Sequence, residues 1–367
     1  LGFRPLPYEN LTWFESRTGN IGLDADLWKG LLHVEFDWFK RKRTGLFEAR
    51  NLVIPGTVGA SLPQENLNSD MTRGIEAVLG HTHTIGGLRY SVTANASVAR
   101  SKNLYLERAE SGSSYSNWRN NYSNRWNDVI FGYKTIGQFQ NQEEINNAPI
   151  HDGEGNRRVL PGDFRYEDFN RDGIIDDNDL QIIGRSGSSK NPNSGLNYIN
   201  TPNVSFGLNV DLQWKGFDMN ALVQGATKLY VRYAEQLAAP LFFGRNGLSY
   251  FMDRWHREDP SNPNSPWIPG TYPSTRTHGE FSNNYRLSTF WLKDASYLRL
   301  RSVELGYTIP ARLLASRGVK GLRVYANGYN LFTWSKVDFV DPEHTPNNVG
   351  MQYPITQNYN FGVNLTF

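Results

Sequence analysis

Apolar and polar residues alternate with period two over long stretches of this chain. The clearest run is Val204-Ser205-Phe206-Gly207-Leu208-Asn209-Val210-Asp211-Leu212-Gln213-Trp214, where every even position is apolar and every odd one small or polar. The final segment repeats the pattern, with Tyr359, Phe361, Val363, Leu365 and Phe367 on one face and Asn360, Gly362, Asn364 and Thr366 on the other. Successive side chains of an extended chain point to opposite sides, so such alternation predicts strands with one apolar face. Ile21 to Leu27, Leu32 to Trp38, Arg73 to Leu79, Leu88 to Val98 and Phe217 to Val223 read the same way. Leu298-Arg299-Leu300 changes phase before Val303-Glu304-Leu305, as a β-bulge would make it, and Leu322 to Gly328 is mixed. The pattern predicts nine strands.

Length and connection rhythm select the architecture. A tilted strand spanning lipid needs about 9–11 residues, whereas strands of globular proteins cluster near 5–6. The predicted strands are of the longer kind. Trp28-Lys29-Gly30, His81 to Gly87, Trp214 to Phe217 and Pro310 to Gly321 are short links, and between them lie long ones at roughly 41–70, 101–202, 226–296 and 331–358. Short and long links alternate, as in an all-β, transmembrane, antiparallel up-and-down barrel with short periplasmic turns and long extracellular loops. A Greek-key sandwich or a propeller has no reason for this rhythm. Bacterial barrels have even strand counts, and an open sheet leaves costly edges in lipid. Nine strands are therefore expected to be the later part of a larger barrel occupying residues 1–367 of this chain. The opening, Leu1-Gly2-Phe3-Arg4-Pro5, has no initiator Met, basic region or apolar signal core. It reads as the interior of something longer, and the missing leader does not argue against export.

Composition narrows the chemistry. An apolar content of 38% and a mean hydropathy of −0.57 resemble those of soluble proteins. Barrel strands are apolar on one face only, so these values do not exclude a membrane. A net charge of +2 provides no nucleic-acid footprint. The absence of cysteine removes disulfides, thiolate metal sites and cysteine nucleophiles. No nucleophile elbow, P-loop or dinucleotide fingerprint is present, and Glu143-Glu144 are adjacent rather than facing, so no enzyme is indicated. His81 and His83 read as surface histidines of a short turn, and Arg41-Lys42-Arg43 as the solvated end of a strand. Trp28, Trp38, Trp214, Trp291 and Trp334 lie at or just past strand ends, where an aromatic girdle is expected in preference to ligand stacking.

One loop carries a distinct pattern. Counted from Asp168, the twelve residues to Asp179 match a calcium loop at positions 1, 3, 5, 6, 9 and 12, with Gly173 at the sharp turn. Asp168, Asn170, Asp172 and Asp179 would supply side-chain oxygens, Ile174 its carbonyl, and Asp176 a direct or water-mediated contact. Calcium is the cation such hard oxygens suit. Asp179 replaces the usual Glu at the twelfth position, and Gly184 cuts off any exiting helix, so this is no paired EF-hand. The other reading is a metal-free loop of Asx turns.

The same segment resembles a known family. Pro161-Gly162-Asp163-Phe164-Arg165-Tyr166-Glu167-Asp168-Phe169-Asn170-Arg171-Asp172-Gly173, continuing to Asp179 and then Ile182-Ile183-Gly184, is similar to the signature loop of the SusC/RagA family of TonB-dependent outer-membrane transporters. Further resemblances follow in chain order over nearly the whole length. They are Asn20-Ile21-Gly22-Leu23-Asp24 with Asp37-Trp38-Phe39-Lys40-Arg41, then Thr72-Arg73-Gly74-Ile75-Glu76, and Phe131-Gly132-Tyr133-Lys134-Thr135-Ile136-Gly137-Gln138-Phe139. Leu292-Lys293-Asp294-Ala295-Ser296-Tyr297-Leu298-Arg299-Leu300-Arg301 and Asn327-Gly328-Tyr329-Asn330-Leu331-Phe332-Thr333 complete the set. The resemblance implies a plugged barrel of 22 strands, uptake energised by the TonB complex, a SusD-like surface lipoprotein as lid, and an oligosaccharide or peptide as cargo. It places the plug and the TonB box upstream of Leu1, outside this chain, and it makes Phe367 a terminal aromatic used in barrel assembly.

Within the chain, lid or cargo contact is expected from aromatics of the long loops, Trp118, Tyr122, Trp126, Trp255 and Trp267, which sit among Asn, Arg and Ser. Outer-membrane lipid is the expected environment of the strands. Two alternatives stand beside this reading: a passive porin or structural barrel, and an extracellular calcium-stabilised carbohydrate-binding module.

Overall fold

The computed structural model describes residues 4–52, 55–110, 112–185, 202–276, 283–314, 318–343, 353 and 355–367. Among them nine long strands form one antiparallel meander. They are β1 (Glu15–Leu27), β2 (Leu32–Ala49), β3 (Gln64–Ile85), β4 (Leu88–Tyr105), β5 (Val204–Trp214), β6 (Phe217–Thr227), β7 (Tyr297–Thr308), β8 (Gly321–Ser335) and β9 (Asn358–Thr366). Each pairs with its chain neighbours in that order. No helix of the described residues is long and apolar enough to cross a membrane.

Register follows alternation. Val210 faces Val92 on one side and Ala221 on the other, while Asp211 faces Ser91 and Asn220, so apolar and polar rows run across the sheet. A slip of one residue would reverse the faces. The phase change in β7 is a bulge: the ladders to β6 and β8 both pass from Leu300 to Ser302, leaving Arg301 over. The short links are tight. Between Trp214 and Phe217 both turn residues have positive φ, 48° at Lys215 and 88° at Gly216, the pair of values a type I′ hairpin requires.

Several expected boundaries shift. β2 continues to Ala49 and β3 starts at Gln64, so their link is 50–63 instead of about 41–70. β4 likewise runs past residue 101, β6 past Val223 and β8 past Gly328. Beyond the apolar band the ladder persists with polar residues on both faces, as where Arg43 lies opposite Asp70 and donates to it over 2.9 Å. Pairing there needs no period-two pattern, which is why alternation alone ended the strands early. Arg41, Lys42 and Arg43 thus belong to β2. His81 and His83 are also strand residues, because the turn is only Gly86-Gly87. They lie on the face of Leu79 and Ile85, where His81 stacks on Tyr90 at 5.4 Å.

Trp28, Trp214 and Trp334 are exposed at strand ends, as a girdle requires, and Trp38 is half-buried. Trp291 is not a girdle residue. It is completely buried, and its indole N–H donates to the Asn284 carbonyl at 2.6 Å.

Trp291 marks the main departure from expectation: the buried apolar core lies in the long links, not in the wall. Tyr133, Phe164, Tyr166 and Ile175 from the link after β4 pack with Leu229, Tyr233, Phe251 and Trp291 from the link after β6, and Val337 from the link after β8 joins them. Short antiparallel pairs frame this cap: Thr135–Gln138 with Phe164–Tyr166, Val129–Gly132 with Gln181–Arg185, and Tyr230–Arg232 with Leu292–Asp294. These pieces are too short and too far apart in sequence to announce themselves by periodicity.

A buried cation fastens the cap to the wall. Arg299 on β7 is 1% exposed, pairs with Asp341 and Glu343, and donates to Thr333 of β8 at 2.9 Å. Arg301 and the Tyr297 hydroxyl reach the same Glu343, at 3.1 and 2.8 Å. Removing one partner of such a buried pair typically costs about 3–5 kcal/mol. Trp291→Ala should destabilise the cap by about 3–5 kcal/mol. Hydrogen exchange should accelerate across 160–180 and 229–240 while the heat-modifiable mobility of the barrel is kept; unchanged exchange would refute an independent cap core.

Candidate functional site

The segment beginning Pro161-Gly162-Asp163 is the inner part of the cap. Gly162 has φ +91°, and a Cβ there would lie 2.3 Å from Cγ of Trp255, so only glycine allows that indole to close over the backbone. Trp255 is 3% exposed. It was a candidate for cargo or lid contact, and burial makes it a packing residue instead. Asp163 beside it is fully buried, paired with Arg276 and accepting from Asn284 at 2.7 Å. Burial pushes its carboxyl up to about 6 against the opposing pull of the Arg276 guanidinium. Phe164 and Tyr166, two residues apart on one strand, both enter the core.

The other aromatic candidates fall in separate places. The helix Ser114–Asn120, capped by Ser113, carries Trp118. Trp118 is 47% exposed, lies edge-on to Phe131 at 5.7 Å and neighbours Tyr115 at 5.6 Å, which in turn meets Phe169 of the acidic loop. Arg125 stands over Trp118, Tyr122 and Phe131 and donates to the Arg119 carbonyl at 2.8 Å, holding the end of that helix. With Phe169 also exposed, Tyr115, Trp118, Tyr122 and Arg125 make one aromatic and guanidinium surface. Such a surface can stack on a sugar ring or pack a peptide side chain. Trp126 is set apart at the end of β4, under Arg100 at 4.2 Å and Arg73 at 4.9 Å, and Arg100 is in turn bidentate to buried Asp128. Trp267 sits under Arg257 at 4.3 Å. Phe367 follows β9 and is 73% exposed.

In the acidic loop the carboxylates turn to the loop's own amides. Asp168 accepts from the N–H of Asp172 and Gly173, Asp172 from Ile174, Asp176 from Asn178, and buried Asp179 from Phe169 and Asp176. Asn170 completes the web through its contacts with Asp172. This is the Asx-turn arrangement. Among the described residues no group of three or more His, Asp or Glu converges where a metal would sit. The donor set is nevertheless all hard oxygen, and a carboxylate bonded to one or two amides retains lone pairs for a cation. Ile175 anchors the loop by donating to the Ile150 carbonyl at 2.8 Å, while Ile150 donates to Gly173.

His151, the next residue, was not visible as a site in the sequence. It is 2% exposed, its Nδ1–H donates to the Pro149 carbonyl at 2.7 Å and its Nε2 accepts the Tyr166 N–H at 3.2 Å. Both ring nitrogens are satisfied only by the neutral imidazole, and burial lowers the pKa to about 4.

The polar and apolar faces, the paired rows and the alternation of short and long links define this chain as a segment of a transmembrane, antiparallel up-and-down β-barrel. No family model matches the chain. It is 26% identical to TonB-dependent receptor P26 of Formosa agariphila over 381 residues, covering 98% of this chain and 35% of that protein. It is 24% identical to TonB-dependent receptor SusC of Bacteroides thetaiotaomicron over 374 residues, covering 98% and 32%. The chain therefore spans about a third of the length of the curated relatives it matches. Its fold matches the RagAB peptide transporter with a TM-score of 0.64 at 19% identity, covering 99% of this chain and 36% of that one. The open-open state of the RagAB peptide importer matches at 0.65. Over nearly its whole length the chain is similar to TonB-dependent receptors, SusC among them, and it shares its fold with the barrel of the RagAB transporter.

His151 gives the cap a pH dependence of definite sign. Its folded pKa is depressed, so its contribution is complete above about 6.5 and is lost as pH falls toward about 4. The full loss amounts to about 3 kcal/mol. Asp163, whose pKa is raised, acts in the opposite sense, its contribution fading as pH rises through about 6. Comparing His151→Gln with wild type isolates the first effect. Cap proteolysis rates should rise between pH 6.5 and 4.5 in the wild type more than in the variant; parallel profiles would count against it.

Proposed function

We propose that the protein to which this chain belongs imports oligosaccharides or peptides across the bacterial outer membrane, energised through the TonB complex and working with a SusD-like lipoprotein. The carrying observation is the match over 98% of the chain to TonB-dependent receptors. The cap supports it: three long links condense on one core at one end of the barrel, providing a preformed surface in place of free loops. In this reading that end is extracellular and the tight turns are periplasmic. The surface formed by exposed Trp118 with half-buried Tyr122 and Arg125 meets the lid or the cargo. Deleting the gene should abolish growth on, or uptake of, the cargo, and a full-length copy lacking its TonB-contacting segment should fail to restore it. Restoration by that copy would indicate a passive porin, and recovery of the protein without detergent would indicate a soluble module.

Calcium at the acidic loop belongs to the same reading, supported by the oxygen donors at Asp168, Asn170, Asp172 and Asp179 and by the exposure of Asp172 and Asp176. Extracellular calcium sites work at dissociation constants of about 10⁻⁴–10⁻³ M. Calcium in that range should raise the thermal midpoint of the full-length receptor, and Asp172→Ala should remove the increment. An unchanged midpoint with no heat of binding leaves the Asx-turn loop as the whole account.

A further inference from the structure

The outward face of the sheet is not evenly filled. A groove of about 710 Å³ opens on it at the tight-turn end, rimmed by Trp214, Phe217 and Tyr307 and walled by Leu305, Ala326 and Phe361. That size falls within the ~300–1,000 Å³ of small-molecule sites. Its origin is legible in the register. Leu305 on β7 faces Ala326 on β8, which faces Phe361 on β9, so one methyl separates two large side chains. At the rim the Phe217 and Tyr307 rings lie 4.5 Å apart, and the Lys215 ammonium, in the turn, stands 4.9 Å from the Trp214 ring centroid.

We propose that this groove is a binding site for one diacyl phospholipid, an acyl chain lying in the notch over Ala326 and the phosphate meeting Lys215. The occupant follows from continuity: the groove is part of the apolar face that a transmembrane barrel turns to lipid. A lysine at the membrane boundary extends its ammonium to the headgroup level while its stem stays on apolar surface. Burying one more acyl chain against apolar residues confers no preference, because hydrocarbon already surrounds the wall. Selection must come from the fit of the notch and from the charge-assisted contact of ammonium with phosphate. The site rests on the barrel reading above and on the tight turns being the periplasmic end, where the facing leaflet is phospholipid.

The test uses the full-length receptor extracted from its own membrane in mild detergent and examined by native mass spectrometry. Wild type should retain one adduct of phospholipid mass as collision energy is raised. Ala326→Phe, which fills the notch, should lose it, and Lys215→Glu should lower its occupancy several-fold. Ala96→Phe, on the same face of β4, should leave it in place. Retention by both groove variants, equal loss in the control, or a second copy of the receptor in place of lipid would overturn the proposal. Lys215 lies in an exposed turn, so its variant keeps the test decisive should Ala326→Phe impair assembly. A receptor recovered without detergent would instead sink the barrel reading, a result distinct from lipid adducts indifferent to both substitutions.

Discussion

Peptide groups in hydrocarbon have no water to bond, and that constraint organises this chain. Every N–H and C=O at membrane depth must find a partner in a neighbouring strand. The nine strands are accordingly long and consecutive in pairing, with continuous ladders broken in β7 only by the bulge at Arg301. Tight turns such as Lys215-Gly216 keep that register, because a two-residue link leaves no slack for a slip. Among the described residues β1 and β9 each have one paired edge and one open edge, so the requirement is met within the sheet and not at its two sides.

Outside the lipid the constraint lapses, and a different one takes over. The long links carry many aromatic and aliphatic residues that water would leave exposed, and they condense around Phe164, Tyr166, Tyr233 and Trp291. The motifs through which the chain resembles the SusC/RagA transporters mostly serve this condensation. Gly162 admits Trp255, Phe164 and Tyr166 fill the core, and Arg299 and Arg301 of the strand motif hold the segment that carries Asp341 and Glu343. That segment also carries Val337 into the core, and its Asp338 carbonyl accepts the Tyr233 hydroxyl. Wall and cap are therefore coupled through a few buried polar contacts, each of which would be expensive to leave half-made.

Much of this was legible beforehand, and for a definite reason. Period-two alternation reports a strand with one face in an apolar medium, so it located all nine strands and the bulge at Arg301, where the phase changes. It failed at Arg41 to Ala49 and Gln64 to Asp70, where polar residues stand on both faces and the ladder shifts register, so pairing leaves no period-two trace. It also mistook Trp291 for a girdle residue, because closeness to a strand end in sequence does not say which way the ring turns. The five loop aromatics met the same limit. Exposed Trp118 and half-buried Tyr122 meet under Arg125, Trp126 and Trp267 lie under other arginines, and Trp255 is inside.

What the sequence determined by itself is the local part: strand identity, which face meets lipid, the order of pairing and the turns. All of these follow from residues adjacent in the chain or joined by short links. The tertiary structure decided what depends on residues more than a hundred positions apart. Phe164 meets Asn284, the Tyr166 hydroxyl meets the Asn283 carbonyl, and Asp163 finds Arg276. No periodicity connects such pairs, and only the side-by-side pairing of β4 to β7 beneath the links brings them within reach of one another. The same holds for the groove over Ala326, which exists because three strands place a small side chain between two large ones.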